Sequence, residues 1–352
     1  LTHMMKVSKY PLYVKVCCVL ISVVIVVYIL DILQAFLLPM VFSILISILL
    51  LPLCNKLEKF KVPRSIAITL CLLLTVCCIA LFFYIVIMQI RTFDEIIPAL
   101  KQRSLTLYES INQFLRNRFN VQLDEETLNI KDNMSSIFEN TSGVVSGTLS
   151  TTTGLLSNLA LVPLYTFLLL YYRDFFREFL HRAINIKDGR TDDILGRIKK
   201  VILSYMTGLL LVIAIVGVLN TLSLWLLGID HAIFFGFFAA VLVLLPYIGI
   251  AIGSFLPIMM ALITKDSAWY AFGVAASFGA IQFLEGNFIT PYVVGSQVSI
   301  NPFAAIVALI LFGNLWGIGG LILALPLTAI IKVIADSFES LEPLGFLLGD
   351  VD

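Results

Sequence analysis

Leu245-Pro246-Tyr247-Ile248-Gly249-Ile250-Ala251-Ile252-Gly253-Ser254-Phe255-Leu256-Pro257 is an apolar run cut by two prolines and two glycines. The surrounding stretch, 232–263, is long enough to cross a bilayer, whose hydrocarbon core takes roughly 20 helical residues. Each proline removes a backbone donor and displaces the turn before it, so the spacing predicts an interrupted helix rather than one straight span. In lipid, the backbone groups freed by a break must face protein or a water-lined cavity. A second run, Trp316-Gly317-Ile318-Gly319-Gly320-Leu321-Ile322-Leu323-Ala324-Leu325-Pro326, is similar in composition and follows Gly313 in another long apolar stretch. Paired Gly/Pro-interrupted segments mark transporter binding sites. Ordinary kinked helices that use glycine for close packing give the same pattern.

The rest of the chain agrees with a membrane setting. Hydrophobic residues make up 60% and charged residues 13%, about half the charged share of a soluble domain, roughly 25%. The reading is an all-α polytopic membrane protein of about eight segments, including Gly/Pro-broken or re-entrant helices and a small helical extramembrane insert, near 10–30, 32–53, 65–88, 155–172, 201–227, 232–263, 268–290 and 302–331. The first is too long, and too closely followed by the second, to be a cleaved signal peptide. Leu1-Thr2-His3-Met4 reads as a cloning remnant, with a natural start at Met4 or Met5. Zero net charge leaves no basic surplus for nucleic acid. The six cysteines all lie in or at the ends of apolar segments and read as free thiols. There is no Walker A pattern, nucleophile elbow, HExxH or paired His/Cys cluster, so the sequence implies no enzyme, no metal and no cofactor.

Lys and Arg concentrate at the N-terminus, at Lys56–Arg64 after the second segment, and between Arg173 and Lys200 after the fourth. With eight crossings these fall on one side together with Lys265 and Lys332, which places both termini in the cytoplasm. The domain organisation expected is three spans over 1–90, a polar outer insert over 91–150, a fourth span with a cytoplasmic interfacial helix over 151–200, and a transport core with a cytoplasmic tail over 201–352. Within the insert, Ile97, Leu100, Tyr108, Ile111, Leu115 and Phe119 recur at nearly helical spacing, and Asp124-Glu125-Glu126 opens a second amphipathic stretch. Phe175, Phe176, Phe179, Leu180 and Ile184 alternate with arginines, which predicts a helix at the headgroups, either a connector or a moving gate. Asp230-His231 fits a tight turn in which the aspartate caps the next helix.

One charge stands apart. Glu285 is the only charged side chain between Asp266 and Lys332. An acid at that depth is costly and ordinarily faces a bundle interior or a water-filled path. Gln282 shares its helical face at i, i+3, Asn287 lies close, Gly286 would admit a neighbouring backbone, and Thr290-Pro291 would end the helix. Such a set suits a small polar solute, whose lost water contacts the amides replace, or a cation or proton exchanging on the carboxylate. Because Glu285 lies near its helix end, an interfacial capping role is the competing reading. Asn220 and Asn314 are further intramembrane amides, read as interhelical glue or as ligands. Lys332 and Asp336, one turn apart, read as an ion pair.

Taken in order, Pro246-Tyr247-Ile248-Gly249 with Pro257, Gln282 to Asn287 with Pro291, Asn301-Pro302, and Leu311-Phe312-Gly313 with Gly317, Gly320 and Ala324-Leu325-Pro326 form a set that resembles the autoinducer-2 exporter family of bacterial permeases. The layout resembles that family over nearly the whole chain, and the specific motifs span about 245–332. The resemblance implies an inner-membrane, multi-pass transporter in contact with lipid, homo-oligomeric and pentameric, that exports autoinducer-2. Other members imply sodium or lithium/proton antiport instead. A non-transporting scaffold that binds a partner through the outer insert is a third reading. The family pattern often carries a histidine before the proline at 302, where this chain has Asn301.

Overall fold

The computed structural model describes residues 11–88, 113, 116, 161–183, 190–245, 248–293 and 300–349. Pro246, Tyr247, the start of the chain, almost all of the 91–150 insert and the turn before Arg190 lie outside the described residues. Within them the chain is helical. In order come α1 (Leu12–Ile32), α2 (Gln34–Lys59), α3 (Arg64–Met88), α4 (Leu161–Tyr171), α5 (Arg173–Ala183) and α6 (Arg190–Leu226). Then follow α7 (Ala232–Leu242), α8 (Ile248–Thr264), α9 (Trp269–Leu284), a π-helical turn (Glu285–Ile289) and α10 (Thr290–Val293). α11 (Pro302–Ser337), a 3₁₀ turn (Glu339–Leu341) and α12 (Glu342–Leu348) complete it. Four helices, α2, α3, α6 and α11, are long and apolar enough to cross a membrane. α1 and α3 leave most of their apolar side chains exposed, as a lipid-facing rim does.

One end of the bundle is tied by charge. Arg173 forks onto Glu58, with Nη2 donating to Oε2 at 2.6 Å and Nη1 to Oε1 at 3.1 Å, and Nη1 also reaches Asn55 Oδ1 at 3.0 Å. Arg64 donates to Asp174 at 2.7 Å and to the Leu170 carbonyl at 2.8 Å. Beneath these bonds Leu50, Cys54, Ile68, Cys71 and Leu170 form a core joining α2, α3 and α4. Higher in the same pair, Ser43 Oγ donates to the Val162 carbonyl at 3.0 Å. The N-terminus of α6 joins this basic end through Asp192, which accepts from Arg177 at 2.8 Å and lies 3.0 Å from His181 Nε2. The Arg177 guanidinium holds the Asp192 carboxyl below its ordinary value, with the His181 bond adding to the effect.

Both Gly/Pro-rich runs break, and each break reverses the chain. α7 and α8 are separate helices packed side by side. Gly253 lies against Ala239, and a Cβ on Gly249 would overlap the Leu242 carbonyl oxygen, so glycine there lets the second arm close on the first. Ile229, Ala232, Phe235, Met260 and Ala261 share one core, which brings the two outer ends together. α11 does the same at Trp316 (φ −129°, ψ 17°) and Gly317 (φ 58°, ψ −138°), the latter a conformation glycine adopts without strain. Leu309 and Ala324 lie in one cluster with Phe312 and Leu321, impossible along a straight helix rising 1.5 Å per residue. A Cβ on Gly320 would overlap the Phe312 carbonyl oxygen, matching Gly249 in the first hairpin. Gly313 meets Leu321 across the same seam.

The hairpins enter from opposite ends. The second arm of α11 runs beside α2, with Gly319 against Leu38 and Leu323 clustered with Leu45 and Ile202, so the second hairpin opens at the basic end. Asn301 fastens that opening. Its Oδ1 accepts from Ala304 N at 2.8 Å, capping α11 ahead of Pro302, and its Nδ2 donates to the Leu347 and Gly349 carbonyls at 2.7 and 2.8 Å. The first hairpin opens at the far end, beside the end of α6, where Lys265 approaches Gly228. α9 leaves that end, with Ala271 and Val274 packed near Leu224, and reaches Val212 and Val216 at Ile281.

The expected broken segments are present as hairpins over 232–263 and 302–331; what changes is Lys265, which lies at the opposite end from Lys332. Gly317 turns the second tip at positive φ, and Gly249 lets the arms of the first hairpin close on one another, whereas proline alone gives a kink. Asp230 does not cap α7. The cap position is His231, in a left-handed conformation (φ 57°), with no side-chain cap bond. The expected Lys332–Asp336 pair is present at 2.6 Å.

Candidate functional site: a carboxylate between two hairpins

A cavity of about 430 Å³ lies where the hairpins meet α6 and α9. The first hairpin contributes its tip, Val243, Leu244 and Leu245, and the second contributes both arms through Ala305, Leu309, Leu321 and Leu325. Its polar lining comes from Gln282, Glu285, Thr290 and Tyr205. The volume is that of a small-molecule site.

Local backbone chemistry turns the acid into this space. Pro291 has no N–H for the Asn287 carbonyl, and its ring crowds that carbonyl, so a regular α-turn cannot pass through it. The chain answers with the π-helical turn Glu285–Ile289, and helix resumes at Thr290–Val293. The expected stop at Thr290-Pro291 is therefore a widening. In a π-turn residues i and i+5 fall near one another, which sets Thr290 beside Glu285. Thr290 Oγ1 donates to Glu285 Oε1, and Gln282 Nε2 donates to Oε2 at 2.7 Å. Glu285 is 8% exposed, so an acid with a donor on each oxygen is held in the cavity wall, away from the bundle surface. Thr290 and Tyr205 were not among the residues singled out by sequence. The signal for Thr290 was Pro291 itself, whose π-turn changes the facing interval from four to five.

Other expected members fall elsewhere. Asn287 and Asn314 are exposed, and each donates to the carbonyl four residues earlier on its own helix, Phe283 and Ile310, both at 2.8 Å. They do not join the cavity, because back-bonding along the helix satisfies the amide where it stands. Gly286 lines the cavity, but a Cβ there would meet nothing within 4 Å. Among the described residues no neighbouring backbone approaches it, contrary to expectation; its missing side chain keeps the space open. Gly249 and Gly320 close the arms, Gly317 turns the second tip, and Gly253 and Gly313 sit in the hairpin seams. Pro257 and Pro326 are buried within their second arms, Pro302 starts α11, and Pro246 lies outside the described residues. Among the described residues no group of three or more His, Cys, Asp or Glu could hold a metal.

Known proteins give this architecture a family. The model for the AI-2E family transporter matches residues 18–340. The chain is 27% identical over 356 residues to the YrrI protein of Bacillus subtilis (strain 168), covering 93% of this chain and 96% of that one. It is 22% identical over 320 residues to the AI-2 transport protein TqsA of Escherichia coli (strain K12), covering 89% of each. The E. coli K12 permease PerM aligns over 201 residues at 25% identity, covering 54% of this chain and 55% of PerM. An all-helical, multi-pass membrane protein that the family model spans almost end to end, this chain belongs to the AI-2E transporter family.

Proposed function

We propose that the Glu285 cavity is the translocation site of an exporter of small polar molecules of the autoinducer-2 type, working with the proton gradient. The observation that carries this reading is the buried carboxylate, held by Gln282 and Thr290, in a cavity walled by two hairpins that enter from opposite ends. Hairpins of opposite entry give each face of the membrane its own movable wall, and the acid stands where both walls meet. A sugar-like diol has hydroxyls for the carboxylate and amide, and a small carbon frame for the apolar lining. The name of TqsA supports the solute class at a distance. Protonation of Glu285 would exchange an acceptor for a donor and so change the site's affinity between the two faces.

Cation/proton antiport is the second reading. Among the described residues Glu285 is the only charged side chain lining the cavity, which suits a single exchangeable cation. In either case the basic end, carrying Lys56, Lys59, Arg64, Arg173 and Arg177, is assigned to the cytoplasm by the distribution of Lys and Arg, along with both termini. The chain acts as a homo-oligomer, pentameric by its family resemblance, with the division of 1–90, 91–150, 151–200 and 201–352 into rim, outer insert, connector and transport core.

The test is flux in proteoliposomes under an imposed proton gradient, with labelled autoinducer-2 in one arm and sodium in the other. Glu285→Gln keeps the shape and removes the charge. Losing a charged acceptor, about 1.5–3 kcal/mol, corresponds to roughly a 10- to 150-fold fall in flux. Gln282→Ala falls less. Gradient-driven solute flux that survives Glu285→Gln unchanged refutes the site, and sodium flux without solute flux selects the antiport reading.

A further inference from the structure

Behind the Glu285 cavity lies a second, much smaller space of about 10 Å³, lined by Asn220, Val216, Ala239, Phe278, Ile281 and Gln282. Asn220 is 4% exposed, and its Oδ1 has no donor among the described residues. A buried amide oxygen left in that condition is costly, about 1–3 kcal/mol, so its position needs a reason. The volume is at the lower bound for one water molecule. Gln282 borders both spaces, as do Val243, at the tip of the first hairpin, and Ile250. Since Gln282 spends its Nε2 on Glu285, its Oε1 remains an acceptor. A donorless amide oxygen on Asn220, with the Gln282 amide lining the same space for one molecule, calls for a species that brings donors of its own. Water has them. A bare cation would require several more oxygens than these residues offer.

We propose that Asn220 and Gln282 hold a single water there, and that this site is the second polar station of the translocation path. A solute hydroxyl leaving Glu285 toward the far end takes the place of that water. The geometry supports the direction. The large cavity is lined by Ile300, Ala305 and Leu325 of the hairpin that opens at the basic end, whereas Asn220 lies near the far end of α6. The proposal rests on the Glu285 cavity being the transport site, but the water site can be measured without transport.

Radiolytic hydroxyl labelling of the whole protein in nanodiscs oxidises buried side chains that touch bound water. Phe278 and Phe235 are both buried, at 4% and 0% exposure, but only Phe278 lines the small space. The expected result is labelling of Phe278 above Phe235, falling to the Phe235 level in Asn220→Leu and retained in Asn220→Ser, which keeps a hydroxyl. A Phe278 label no higher than that of Phe235 in the wild-type protein overturns the water site. In the proteoliposome assay, Asn220→Leu lowers autoinducer-2 flux about tenfold, the worth of one hydrogen bond at the barrier. Should flux stay at wild-type level while Glu285→Gln abolishes it, the station is refuted and the Glu285 site stands; the opposite pattern refutes Glu285 alone. The serine variant separates loss of the site from loss of the fold.

Discussion

Gly253→Ala tests the antiparallel register of the first hairpin most directly. A Cβ at 253 would lie 2.8 Å from both Cα and Cβ of Ala239, where ordinary van der Waals contact begins at 3.4 Å. The arms would have to part by more than half an ångström, and their other contacts, Met260 and Ala261 against the core of Phe235 and Ala232, are fully buried. Overpacking of this kind costs about 1–3 kcal/mol. Against it stands the helix preference for alanine over glycine, worth roughly 0.8–1.0 kcal/mol. The net expectation is a destabilisation of about 1 kcal/mol, from a substitution that would stabilise a free helix. Ala239→Gly removes one of the two clashing atoms, so the double variant should show a favourable coupling of about 0.5–1.5 kcal/mol relative to the sum of the singles. The assay is reversible unfolding in mixed micelles of the four proteins of the cycle. If Gly253→Ala stabilises the protein, or the two changes add without coupling, residues 239 and 253 are not partners and the hairpin is wrongly drawn.

Four further outcomes follow from named residues. Gly317→Ala should destabilise by about 1–3 kcal/mol, since a left-handed tip is strained for any side chain; Gly286→Ala should be neutral or stabilising in the same unfolding measurement, while Gly286→Leu lowers flux by filling the open cavity. Arg173→Lys replaces a bidentate fork with one point charge, and a loss of about 1–2 kcal/mol is expected from a half-buried site joining α2 to α5, read by unfolding alongside Glu58→Gln. The Asp192 carboxyl is held below its ordinary value, so its contribution to the α5–α6 clasp is complete above the usual carboxylate range and is lost as pH falls below it. Spin labels on α5 and the start of α6 should separate on acidification below about pH 4 and remain together at pH 6. Asp192→Asn should abolish that pH dependence.

The two break points were legible because proline and glycine act locally, each through its own backbone. The sense of each break was not. A Gly/Pro pair marks where a helix must yield, whereas reversal depends on arms that recognise each other, Gly253 with Ala239 and Gly313 with Leu321, across a seam that no local pattern encodes. Counting hairpins as crossings then put Lys265 at the wrong end. Glu285 and Gln282 were legible because an acid in an apolar run has few places to go. Asn287 and Asn314 misled because an amide can satisfy itself on its own helix, and sequence proximity does not say when it does. Thr290 escaped notice because the expected interval was that of an α-helix, and Pro291 had changed it.

Asn301 has a consequence for motion. By capping α11 and holding the carbonyls of Leu347 and Gly349, it closes the second hairpin and α12 into a loop fastened at its own root. A loop closed this way cannot open by splaying its arms at the basic end; it tilts or slides as one piece, with Trp316 at its tip donating to the Leu30 carbonyl as the contact to be broken. α12 then behaves as a handle. Whatever shift the hairpin makes beside Glu285 is carried to this short helix, where a probe on exposed Phe346 can register it without touching the cavity itself.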